Sequence, residues 1–160
     1  VSLSDSGNKI TTNSSGSVFV VGGGRGTSGN TDSIIWKFSS DGSIDTSFNS
    51  TGFVVEDGIA GVSGHDYANA IALDGASNIL IGGLSYNASS NWDAFIIRYS
   101  QDGSRDSAFG VGGLLIEGNL GGGAGTDRIF DLSVDSSENV FACGSSDTSG
   151  AYVGTLLKYH

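Results

Sequence analysis

One stretch of this chain is written twice, 61 residues apart. Residues 34–52 read IIWKFSSDGSIDTSFNSTG and residues 95–113 read FIIRYSQDGSRDSAFGVGG. Lys37 superposes on Arg98, Phe38 on Tyr99, Asp41 on Asp102, Asp45 on Asp106, Phe48 on Phe109 and Gly52 on Gly113. A third copy starts late in the chain, where Leu156-Leu157-Lys158-Tyr159 matches Ile96-Ile97-Arg98-Tyr99 at a spacing of 60. A fixed period of this size marks a repeat architecture, in which each unit buries its apolar face only against its neighbours. The units fall at about 1–60, 61–121 and 122–160, the last one truncated.

Aligning the copies predicts four strands per unit. The first alternates, as in residues 68–73 and 129–134, with 9–12 a weaker version. A turn of Asp, Asn, Ser and Gly follows, residues that bond their own backbone or tolerate left-handed conformations. The second strand is almost wholly apolar (VFVVGG, NILIGG, NVFACG), the pattern of a strand covered on both faces. The third covers 33–38, 94–99 and 154–159; the fourth covers 53–56 and 114–117 and is missing from the last unit. Four antiparallel strands recurring at this period indicate an all-β protein of β-propeller-type blades, with a β-sandwich as the alternative.

These residues carry a family resemblance. An apolar strand, an Asp-Gly turn, a short strand ending in Arg/Lys-aromatic, then DGSxDxxF and a glycine before the last strand: this pattern resembles the delta-60 repeat. The likeness is most specific at residues 78–113. It implies propeller blades in a large secreted or surface-exposed bacterial protein, and no particular activity. The arithmetic adds a constraint, because 160 residues hold about 2.6 units whereas closed propellers need about four to eight blades. The chain therefore reads as part of a longer propeller or as a homo-oligomer that completes a ring. Its start at Val1 rather than Met fits a processed product or an excised part.

Seventeen acidic against seven basic residues give a net charge of −10. Such a surface has no basic patch to displace counterions from phosphates, which argues against nucleic acid as a partner. No run approaches the roughly 18 apolar residues of a membrane helix, so membrane insertion is not expected. Cys143 is the single cysteine, and its place in VFACG reads as a small buried residue on a strand.

The repeated acids Asp41, Asp45, Asp102 and Asp106 fit two chemistries. Carboxylates at short spacing around a glycine can present oxygens to calcium. An Asp-Gly turn followed by an Asp capping the next turn explains them without a metal. Phe48 and Phe109 read as plugs between neighbouring blades.

Binding is sought where the copies diverge. Loops joining strand two to three, and strand four to the next unit, lie on one face of a propeller, and here they differ from unit to unit. Long variable loops on a rigid scaffold are where binding resides. They contain His65 and Asn87 together with Arg25, Asp66, Tyr67, Tyr86, Trp92, Asp127, Arg128 and Tyr152, the last eight being the expected ligand-binding set. Aromatic rings beside Asp, Asn and Arg suit a sugar, whose ring stacks while its hydroxyls bond the polar groups. Catalysis finds less support: there is no nucleophile elbow, phosphate loop or Cys-His pair, and His65 and His160 are the only imidazoles. The expectation is a non-enzymatic, secreted or cell-surface module with no cofactor, recognising surface glycan or another surface protein. The alternatives are a structural spacer or assembly unit, and a polysaccharide hydrolase.

Overall fold

A computed structural model describes residues 5–26, 28–122, 125–148 and 151–159. Residues 27, 123, 124, 149 and 150, in three of the variable loops, and the second imidazole, His160, lie outside the described residues. The chain forms three antiparallel sheets in series. Strands β1 (Ser6–Thr12), β2 (Val18–Arg25), β3 (Thr31–Phe38) and β4 (Phe53–Glu56) make the first, paired in that order. Strands β5 (Asp66–Leu73), β6 (Ile79–Tyr86), β7 (Trp92–Tyr99) and β8 (Leu114–Glu117) repeat it. Strands β9 (Asp127–Val134), β10 (Val140–Thr148) and β11 (Ala151–Tyr159) form the third, which has three strands among the described residues.

The sheets stack face to face, with β5 packed on β1, β2 and β3, and β9 on β5, β6 and β7. Two apolar clusters fill the spaces. Phe19, Val21, Ile35 and Phe48 of the first sheet meet Ile71, Ile79, Ile81 and Ile97 of the second. On its other side the second sheet offers Ala70, Leu80, Ile96 and Phe109 to Ile129, Leu132, Val140 and Ala142. Phe48 and Phe109 each sit in one of these seams, and Lys37 and Arg98 lie over their rings. The serial packing of three sheets is that of propeller-type blades; a two-sheet sandwich does not have it.

Each first strand carries a bulge at the same place, where Asn8, Asn69 and Phe130 are skipped in the pairing. The bulge drives a carbonyl toward the second strand, and Gly22, Gly83 and Gly144 sit opposite. A Cβ at these positions would overlap the carbonyl oxygens of Ser6, Tyr67 and Arg128 respectively. That close approach explains why a strand otherwise rich in β-branched residues keeps glycine there.

Two expectations need correcting. The second and third strands run beyond their apolar stretches, to Arg25, Tyr86 and Thr148 and from Thr31, Trp92 and Ala151. The first strands of the second and third sheets also start two residues early, at Asp66 and Asp127, so all eight expected ligand residues stand at strand ends, not in loops. Cys143 is exposed, not buried. Among the described residues its strand is covered on one face only; on the other face Cys143 lines a surface groove with Phe141 and Leu156.

Candidate functional site

The two loop classes expected to share one end of the sheets do meet there. The hairpin joining β2 to β3 touches the connection from β4 to β5: Asn30 Nδ2 donates to Ser63 O at 3.4 Å, and Thr31 N–H donates to His65 Nδ1 at 3.0 Å. The opposite end holds the repeated turns. Asp41, Asp45 and Asp102 each accept from the backbone N–H and hydroxyl of the serine two positions on. Asp106 accepts from Ala108 N–H. Lys37 pairs with Asp45 at 3.0 Å and Arg98 with Asp106 at 2.7 Å. These bonds hold all four carboxylates below their usual range, through the serine hydroxyls for Asp41, Asp45 and Asp102 and through the Ala108 amide for Asp106. Each of these carboxylates thus caps the turn that follows it.

At the variable end of the second sheet four rings gather. Trp92 and Tyr86 face each other across the β6–β7 hairpin, centroids 5.3 Å apart and nearly perpendicular. Tyr67, at the start of β5, lies 5.6 Å from Trp92. His65 stacks on Tyr67 at 5.9 Å with the planes 4° apart, and its centroid is 6.4 Å from Trp92. All four are half-buried, so each shows part of a ring to solvent. Edge-to-face and offset contacts at such separations hold rings in place with little conformational freedom left to lose on binding.

The acids beneath the rings have another job. Asp66 is fully buried and accepts from Gly58 N–H at 2.8 Å and Ile59 N–H at 3.3 Å. Ser85 Oγ takes the next amide, that of Ala60. The 57–65 connection is thereby tied down over the sheet end, with Ile59 inserted into the core. Burial pushes the Asp66 carboxyl above its ordinary value, its hydrogen bonds offsetting part of the rise. Asp127 takes the same place in the third sheet, fully buried beside Ser146 and likewise raised by burial. There Arg128 lies 5.5 Å from the Tyr152 ring, the positions held by Tyr67 and Trp92 one repeat earlier. Arg25 is exposed and pairs in register with Thr31, the residue bonded to His65.

The structure thus brings Tyr67, Tyr86 and Trp92 together, and places Arg25 on the first sheet, outside that cluster. It places Arg128 and Tyr152 in a separate pair, and sinks Asp66 and Asp127 below the surface. His65 stands among the variable-loop residues of the sequence reading but outside its eight-residue ligand set; its adjacency to Asp66-Tyr67 in SGHDY was the available signal. A second concavity, of about 430 Å³, lies on the outward face of the first sheet. Ile34, Trp36, Phe53 and Val55 line it, with Arg25 and Asp32 among its polar groups.

Residues 14–48 and 78–109 match a family model described as "Domain of unknown function (DUF5122) beta-propeller". Those segments are the second and third strands and the following turn of two successive units. The fold is also similar to a solved fucose lectin from Kordia zhangzhouensis in complex with methyl-fucoside. The TM-score is 0.54 and the identity 12%, over 94% of each chain. No curated protein matches the sequence. Sheets, repeat and comparisons together define an all-β protein similar to propeller-type repeat proteins.

Proposed function

We propose that this chain, built of repeats of the delta-60 type, is a non-enzymatic recognition module that binds carbohydrate through the ring cluster of the second sheet. The observation that carries the reading is the convergence of Tyr67, Tyr86, Trp92 and His65 on one rigid sheet end. Partly exposed rings offer stacking surface to the C–H face of a sugar. Support comes from the similar fold of a lectin solved with a fucoside. The buried acids serve the scaffold in this reading: Asp66 fixes the connection that carries His65. The surface of net charge −10 suits a secreted or cell-surface setting, with surface glycan as the ligand.

The test is a glycan array probed with the wild type and with Trp92→Ala and Tyr67→Ala. Binding by the wild type and its loss in both variants, with circular dichroism unchanged, is the expected result. Binding that survives both substitutions removes the cluster from the site.

A further inference from the structure

Strand β4 ends at Glu56, opposite Ser33, but β3 continues outward to Thr31. Alternate amides on that edge of β3 point toward β4, and that of Lys37 donates to Gly52 O. Thr31 belongs to the same series and lies past the end of β4. Without a partner it would be an open edge donor, which folded chains rarely tolerate. Nδ1 of His65 takes the place of the missing carbonyl, at 3.0 Å. A ring nitrogen that accepts carries no proton, so this bond belongs to the neutral imidazole alone. The backbone of His65 is fixed separately, because its carbonyl accepts from Tyr86 N–H at 2.9 Å. The side chain can therefore change partner while the connection stays in place.

An alternative partner stands one residue along β3. Asp32 is 5% exposed, and its Oδ1 is buried with no hydrogen-bond donor among the described residues. A buried carboxylate oxygen in that state is costly until a donor reaches it. Burial first, then the Asp57 and Asp66 carboxylates, hold Asp32 above its ordinary value, and His65 is the neighbour that opposes the rise. The charged and titratable groups around the imidazole are thus Asp32 on β3, Asp57 in the connection, and Asp66 and Tyr67 on β5. Tyr86 on β6 holds the His65 backbone, β7 contributes the uncharged Trp92 ring, and Arg25 on β2 pairs with Thr31. One repeat on, Thr126 takes the place of His65 and carries no titrating group. The arrangement therefore belongs to this seam and is not a demand of the repeat.

We infer that His65 is a pH-operated latch on the aromatic site. When neutral, it bonds to Thr31 and stacks on Tyr67. When protonated, its Nδ1–H opposes the Thr31 N–H, and the imidazolium turns from that amide to the carboxylate of Asp32. The stack on Tyr67 opens, and the ring cluster loses one of its four members. Imidazole is the side chain whose charge changes between pH 5 and 8. Regulation of sugar binding by this route rests on the carbohydrate reading above; the latch itself does not.

The Trp36→Phe variant, in which Trp92 is the remaining tryptophan, reads the latch without any ligand. Its emission between pH 8 and 5 should follow a single transition, because His65 lies 6.4 Å from the Trp92 ring. The Thr31 amide resonance should move with the same midpoint. Both responses should vanish when His65→Gln is added, since glutamine keeps an acceptor and takes up no proton. Asp32→Asn should shift the midpoint to lower pH by removing the charge that attracts the imidazolium. Affinity for a methyl glycoside identified by array should fall by up to about tenfold from pH 7.5 to 5.5 in the wild type, and stay level in His65→Gln. A flat Trp92 emission and Thr31 resonance, the same transitions in His65→Gln, or a wild-type affinity equal at both pH values overturns the inference. Transitions as expected, in a protein that binds no glycan at either pH, keep the latch and remove the carbohydrate reading instead.

Discussion

The backbone N–H of Thr31 donates to Nδ1 of His65 across the boundary between the first and second sheets. Through that one bond the β2–β3 hairpin fixes the ring that stacks on Tyr67. The aromatic site is therefore set by two repeats, and its shape depends on a residue that touches it only through the backbone. His65→Ala should leave the fold intact and weaken carbohydrate binding by up to about tenfold, the scale of one aromatic contact. Isothermal titration of wild type and variant against an array-identified glycan reads this directly.

Phe48 and Phe109 fill equivalent places in the two internal seams, and truncating either leaves a cavity between sheets rather than at a surface. Phe48→Ala and Phe109→Ala should each cost about 3–5 kcal/mol. Chemical denaturation with matched slopes measures it.

Gly83→Ala should disturb stability and binding together. Its Cβ would overlap the carbonyl of Tyr67, one of the stacked rings. A loss of about 1–3 kcal/mol is expected from the forced backbone shift, with weaker glycan binding in the molecules that remain folded. Gly61→Ala has open space around it but a positive φ, so it should cost stability through backbone strain alone and spare binding.

The acids make stability depend on pH in two opposed ways. Asp41, Asp45 and Asp102 are held below the ordinary value of 3.8 by serine hydroxyls, so their contribution is complete above pH 3.8 and is lost as pH falls through their lowered values. Asp66 and Asp127 are raised by burial and act with the opposite sign, costing stability as pH rises from 3.8 through their raised values. Ser43→Ala with Ser104→Ala should flatten the acid fall of Tm, and Asp127→Asn should flatten the fall on the higher-pH side. Thermal melts across pH 2–7 separate the two.

The repeat made most of the fold legible, because two aligned copies show which positions stay apolar and which stay Asp-Gly. The fourth strands were read with their final boundaries, 53–56 and 114–117. What misled was the assumption that equivalent positions have equivalent surroundings. Cys143 lies in the place of buried Val21, yet it is exposed, since burial in this architecture is supplied by the next sheet and not by the strand itself. The binding residues were read as loop for a related reason. Arg25 and Trp92 break the apolar pattern, but hydrogen bonding in a ladder does not require apolar side chains. Asp66 was legible as a conspicuous acid, whereas its bonds to the Gly58 and Ile59 amides depend on a connection whose path no local pattern encodes.

Trp36 and Trp92 are the two tryptophans, one in the outer groove and one in the ring cluster. Trp36→Phe leaves Trp92 as a single reporter inside the proposed site. Titrating this variant with a panel of methyl glycosides, methyl-fucoside included, should give a saturable change in Trp92 emission with at least one sugar, abolished by Tyr67→Ala. Emission that stays unchanged across the panel, in protein that still binds glycans on an array, would place the sugar elsewhere and contradict the aromatic site.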